Sequence, residues 1–137
     1  MRLALLALAA LVWIAVPVSA RAEGGTVDTW DGTVEAFTEG SGTKEDPWRI
    51  ENAEQLAYLA QQVNNGTNYR GKHFLLVSDL DLSVKEWTPI GTYSNSFWGG
   101  FDGGGRTITG MTIKGDRDYV GLFGECKNFT ASASYIK

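Results

Sequence analysis

The stretch from Trp87 to Gly124, WTPIGTYSNSFWGGFDGGGRTITGMTIKGDRDYVGLFG, holds more than half of the chain's 17 glycines, with short apolar runs between them. A residue without a Cβ turns a corner at positive φ without steric penalty. This spacing therefore predicts many brief strands separated by tight corners. Comparable points recur, Ile90 with Met111 and Phe101 with Phe123, at the interval of a stacked repeat. The fold class expected is mainly β: the start of a parallel β-helix, a solenoid with an α-helical N-terminal cap. A β-sandwich with irregular turns also fits these intervals.

The chain of 137 residues is long enough for one domain, and its first part has the layout of a secretory signal peptide. Met1-Arg2 forms a small positive start, Leu3 to Val16 is almost wholly apolar, and Pro17 precedes the small-residue sites Val18-Ser19-Ala20 and Ala20-Arg21-Ala22. The alternative, a membrane anchor, needs about 20 apolar residues, more than this run supplies. The expected organisation is a signal peptide over 1–22, a strand and loop over 23–50, and a helical cap with the first rungs over 51–137.

Cleavage after Ala22 removes Arg2 and Arg21 and takes the formal charge from −4 to −6. An acidic domain without a basic cluster excludes nucleic acid as partner. After cleavage no long apolar segment remains to insert in a membrane. The single cysteine, Cys126, excludes an internal disulfide framework, so the fold must stand on burial and hydrogen bonding.

Thr26 to Trp30 reads as a short strand anchored by Trp30, and Glu39 to Pro47 as a loop leading to a strand at Trp48-Arg49-Ile50. Ala53 to Asn65 is the one helix. Asn52 caps it, Gln55 stands at the capping-box spacing, and Gly66 can stop it. At 100° per residue Leu56, Leu59, Ala60 and Val63 share an apolar arc, while Gln55, Tyr58 and Gln62 fall on the polar side. This face is expected to cover an open solenoid end. Downstream, Phe74, Leu76, Leu80 and Leu82 share one parity and face inward, and Asp79 and Asp81 face water. Met111 and Ile113 turn inward only if Gly110 makes a corner. Phe97, Phe101 and Leu122 point inward, Leu122 with Val120, and Trp98 and Phe123 point outward. The tail from Cys126 alternates like one more strand and then stops without a cap, as in a fragment, the start of a longer protein, or a subunit whose end a partner covers.

No constellation of residues carries an evident chemistry. His73 and Cys126 could form a nucleophile pair but lack any supporting motif, and no ligand spacing for zinc exists. Asp79 and Asp81 are better explained as wetting an outer face than as a glycosidase pair, and Asp116-Arg117-Asp118 as a turn with a local ion pair. The double and triple glycines lack the Lys-Ser/Thr of a phosphate loop. Aromatic residues are the remaining binding signal. Outward-pointing Trp98 and nearby Tyr93 are candidate glycan contacts, against the alternative of simple packing.

Phe97 to Gly105, Thr107 to Ile113 and Tyr119 to Gly124 resemble the GLUG-motif proteins, exported bacterial surface proteins named for a Gly-Leu-any-Gly repeat. The similarity extends upstream through Gly40-Ser41-Gly42-Thr43, Ala53-Glu54-Gln55-Leu56, Tyr69-Arg70-Gly71-Lys72, Asp79-Leu80-Asp81-Leu82 and Trp87-Thr88-Pro89-Ile90-Gly91. The resemblance implies a right-handed β-helix, export, and Gly121, Leu122, Phe123 and Gly124 as a structural motif. It implies no active site and no cofactor. The function expected is a non-catalytic structural or adhesive module, secreted or at the cell surface, with extracellular glycans or host or cell-surface proteins as partners. The alternative is a carbohydrate-binding module, or the non-catalytic part of a polysaccharide-degrading enzyme or an immunoglobulin-A-type peptidase.

Overall fold

The computed structural model describes Val27 and residues 29–115, 118–127 and 130–132. The segment read as a signal peptide, Thr26 and Asp28 of the first expected strand, Asp116 and Arg117, and most of the alternating tail lie outside the described residues.

The elements in chain order are β1 (Trp48–Ile50), α1 (Ala53–Asn64), β2 (His73–Leu76), β3 (Leu80–Asp81), β4 (Gly100–Asp102), β5 (Ile108–Thr109) and β6 (Thr130–Ser132). All strand pairs are parallel. One sheet runs β1-β2-β4-β6, and a second contains only β3 and β5. Register is set by apolar residues: Trp48 lies opposite Phe74, Phe74 opposite Phe101, and Leu80 opposite Ile108.

This architecture corrects the expected mainly-β solenoid. Strands of two to four residues form two small open sheets, and neither closes nor coils into a solenoid among the described residues. The longest element is the helix. It is no cap ahead of the sheet either, since β1 precedes it. Glycine spacing reports where the chain turns, not whether the segments between turns pair. Residues 31–47 lead into β1, and residues 83–89, 111–115 and 118–122 lie outside the strands, with at most isolated bridges such as Ile90 to Phe123 nearby.

The helix forms where its signals stand. Asn52 Oδ1 accepts the Gln55 N–H at 2.8 Å. At the other end the Gly66 and Thr67 N–H groups reach the carbonyls of Val63 and Gln62, a Schellman closure. Gln55 departs from the amphipathic reading. It is buried, and its Oε1 accepts the Glu51 N–H at 2.9 Å, so an amide on the inner face completes a backbone bond that the core would otherwise leave open. Tyr58 likewise packs edge-on to Phe37 at 5.2 Å.

Leu56, Leu59, Ala60 and Val63 join Ile50, Phe74, Leu76, Leu80, Leu82, Trp87, Ile90 and Phe97 in one core. Each large side chain buried there contributes about 1.5–3 kcal/mol. Phe74 is its aromatic centre, with Trp48, Tyr69, Phe37 and Phe97 rings within 6 Å of its own. The alternation of Phe74, Leu76, Leu80 and Leu82 is buried as its parity requires. Gly110 does take a positive φ, and Met111 and Ile113 reach the core edge half-buried.

Two inward and outward assignments near the C-terminal end are reversed. Val120 is 60% exposed, and Phe123 is half-buried, stacked on Phe97 at 5.4 Å and edge-on to Phe101 at 5.2 Å. The cause lies at Gly121, whose φ of +153° departs from the extended backbone that alternation assumes, so parity does not carry across it. Leu122 stays inward, and its carbonyl accepts both the Ile90 N–H at 3.0 Å and the Trp87 indole N–H at 3.2 Å.

Candidate functional site

Asp79 and Asp81, the carboxylates weighed as a glycosidase pair, are engaged with the backbone, as are Asp31 and Asp102. Asp31, Asp81 and Asp102 each accept the N–H two residues ahead at 2.9 Å, and Asp79 accepts the Thr107 N–H across the fold at 2.9 Å. These are corner fastenings, in which a carboxylate takes the place of a backbone carbonyl. Side-chain hydrogen bonds from Thr33 and Ser83 hold the Asp31 and Asp81 carboxyls below the ordinary range. Asp79 and Asp81 are therefore not arranged as an acid and base facing a shared substrate.

His73 and Cys126 occupy different places in the backbone pairing. His73 pairs with Gly100, and Cys126 bridges to Phe97. Burial first, then the charge of Glu125, pushes the Cys126 thiol up to about 11, which disfavours the thiolate a nucleophile needs. Among the described residues no group of three His, Cys, Asp or Glu side chains could hold a metal ion.

The two candidate glycan contacts part company. Tyr93 sits at the tip of a loop, 74% exposed. Trp98 is half-buried and walls a cavity of about 240 Å³ together with Asn68, Ser94, Asn95, Ser96 and Lys127, over a floor that includes Val63. Tyr93 does not line it.

Three local arrangements build this pocket. Phe97 is driven into the core, so its neighbour Trp98 points the other way, and the Trp98 N–H is fixed to the Asn68 carbonyl at 2.9 Å. Tyr69 holds a left-handed φ of +56°, a conformation costly for a residue with a Cβ and kept here by ring contacts to Phe74 and Trp48. Burial raises its phenol pKa to about 12. That kink, with Asn68 Oδ1 accepting the Arg70 N–H at 3.0 Å, brings the Arg70 guanidinium 5.2 Å above the Trp98 ring. The third arrangement is an amide clasp. Asn95 Nδ2 donates to the Asn64 carbonyl at 2.8 Å, and Asn64 holds Gly91 and Pro89 with its own amide, so loop 92–95 is seated on the helix end.

Sequence reasoning missed Asn68, Ser94, Asn95, Ser96 and Lys127. The density of Asn and Ser over 94–96 beside an outward tryptophan was a readable signal, whereas Lys127 is brought in only by the Phe97–Cys126 bridge. A second cavity, about 350 Å³, lies along the helix and is lined by Trp30, Val34, Ala57, Ala60 and Trp87 among others. The two indoles meet edge to face at 5.6 Å, and both are buried, so they floor the cavity rather than present a free ring face.

The Gly-Leu-Phe-Gly stretch is a structural centre. Gly124 has no positive φ, but a Cβ on it would overlap the Gly91 carbonyl oxygen, and a Cβ on Gly91 would overlap the Glu125 carbonyl oxygen. The two chain segments pass here with no room for a side chain.

A protein of Evansella cellulosilytica named "Putative Gly-rich membrane protein" is 42% identical to this chain over 115 residues. The match covers 73% of this chain and 12% of that relative, so the chain corresponds to a small part of the relative's length. No protein-family profile matches the chain, and no solved structure matches it. Among the described residues no helix is long and apolar enough to cross a membrane.

Proposed function

We propose that this chain is an exported, non-catalytic module with a structural or adhesive role at the bacterial cell envelope. The carrying observation is the use of its acidic side chains: Asp31, Asp79, Asp81 and Asp102 fasten backbone corners instead of converging on a cavity. The likeness to a far longer glycine-rich protein whose name places it at a membrane supports the location, as does the layout of residues 1–22. The GLUG-motif resemblance supports the same reading.

Expression of the full chain with a C-terminal epitope, followed by fractionation and N-terminal sequencing, tests it. The expected product lies outside the cytoplasm and begins at Arg21 or Glu23. A cytoplasmic product with Met1 intact overturns the reading. The carbohydrate-binding alternative is favoured by one observation of its own, the polar pocket walled by Trp98.

A further inference from the structure

We propose that the Trp98 pocket binds one pyranose unit of an acidic, uronate-bearing glycan. Its volume of about 240 Å³ lies below the 300–1,000 Å³ usual for drug-sized ligands and suits a single ring. The indole wall offers an apolar surface with a polar edge, which matches the C–H face and hydroxyl rim of a sugar.

The rest of the lining supplies the donors and acceptors that hydroxyl groups require. Asn68 uses its Oδ1 on Arg70, while its amide NH₂ has no protein partner among the described residues, and neither has the Ser94 hydroxyl. Ser96 Oγ and Glu125 Oε1 stand 3.4 Å apart at the inner end, leaving the hydroxyl able to accept from a ligand.

Charge selects the kind of sugar. Lys127 is paired with Glu125 at 3.5 Å, but Arg70, over the Trp98 ring, has no carboxylate partner among the described residues. One cation without a carboxylate partner among the described residues therefore stands over the ring that walls the pocket, without lining the cavity itself, in a chain of net charge −4. A guanidinium pairs with a carboxylate through two parallel hydrogen bonds. The surrounding acidity repels a polyanion elsewhere, so the contact is local and weakens with salt.

The inference rests on the surface reading only in that such glycans are met outside the cell. It is tested on purified protein, so its failure leaves the export experiment untouched. The ¹⁵N-labelled full chain is titrated with tetragalacturonate and, separately, with cellotetraose, at low salt. The expected result is a saturable shift of the Trp98 indole resonance with tetragalacturonate, bound about tenfold more tightly than cellotetraose. Ser94→Tyr, which plugs the pocket from an exposed position, and Trp98→Ala each lower that affinity about tenfold or more. Arg70→Gln brings tetragalacturonate down to the affinity of cellotetraose. No saturable shift with either saccharide overturns the proposal, as does undiminished binding by folded Ser94→Tyr. Equal affinity for the two saccharides in the unaltered chain overturns the acidic assignment.

Discussion

Three single alanine substitutions, at Gly71, Gly91 and Gly124, separate backbone strain from steric exclusion. Gly71 has a φ of +77°, and a Cβ there would meet nothing within 4 Å, so Gly71→Ala meets strain alone, about 1–2 kcal/mol. Gly124 carries no positive φ, and a Cβ there strikes the Gly91 carbonyl oxygen, a backbone atom that cannot swing aside. Relief requires the 89–91 and 122–125 segments to separate. That puts at risk the Gly124 N–H bond to Ile90 O at 2.9 Å and the Glu125 N–H bond to Gly91 O at 3.3 Å. Overpacking of about 1–3 kcal/mol, with two hydrogen bonds near 1 kcal/mol each, gives about 3–5 kcal/mol for Gly124→Ala. Gly91→Ala combines a φ of +95° with a clash at Glu125 O and costs most. The expected order of urea midpoints is Gly71→Ala above Gly124→Ala above Gly91→Ala, with unchanged slopes. A domain of this size commonly has about 5–15 kcal/mol in all, so the last variant can fail to fold and the informative pair is the first two. If Gly124→Ala unfolds no earlier than Gly71→Ala, the close passage of the two segments is not what this glycine serves.

Leu56→Ala should cost about 2–5 kcal/mol, since Leu56 is fully buried where α1 meets the core; a thermal shift of only a degree or two would contradict that packing. Asp81→Asn keeps the Oδ1 acceptor for the Ser83 N–H but removes a carboxyl whose folded pKa is lowered, a group that contributes stability above its unfolded value near 3.8 and loses it as pH falls through the folded value. The variant should therefore be less stable than the parent at pH 7, show a shallower loss of stability below about pH 4 in acid unfolding, and approach the parent at the lowest pH. Cys126 and Tyr69 have folded pKa values raised to about 11 and about 12, from 9.0 and 10.0, so their contribution is complete below pH 9 and is lost as pH climbs from 9 through 12. Native Cys126 should react with iodoacetamide far more slowly at pH 8 than the same thiol in urea; equal rates would show that it is not shielded.

Much of the local structure was legible. The helix and both its ends follow from Asn52, Gln55 and Gly66, and the buried set of Phe74, Leu76, Leu80 and Leu82 follows from alternation alone. Phe97, Phe101 and Leu122 were likewise readable as inward. What was hidden depended on partners distant in the chain or on a local break in the backbone. Gln55 looks polar on a helical wheel, yet the open Glu51 N–H draws it inward. Phe123 looks outward by parity, yet a break at Gly121 turns it onto Phe97. The fold class was overread for a related reason: corners are written in single residues, whereas ladder length depends on how far each segment stays in register with another. At the pocket, Trp98 was readable as outward because its neighbour is an inward phenylalanine. The Tyr69 kink that places Arg70 above it was not, because nothing in the sequence asks a tyrosine to adopt a left-handed backbone.

The parallel register has a kinetic consequence. Successive partners in the larger sheet, Trp48 with Phe74, Phe74 with Phe101 and Phe101 with Ala131, are separated by similar lengths of chain. Loop-closure entropy grows only with the logarithm of length, so no pairing gains an advantage from proximity along the chain. The intervening segments differ instead. Between β1 and β2 lies a helix closed at both ends, an element that forms in about a microsecond and shortens the span to be bridged. Between the later pairs, among the described residues, lie turns, isolated bridges and the two-residue strands β3 and β5, whose partners are distant in the chain. Folding is thus expected to begin at β1, α1 and β2 and to advance toward the C-terminus, each strand docking on the one before it. Mutations at Ile50 or Leu59 should slow refolding, while mutations at Leu122 should leave that rate alone and hasten unfolding.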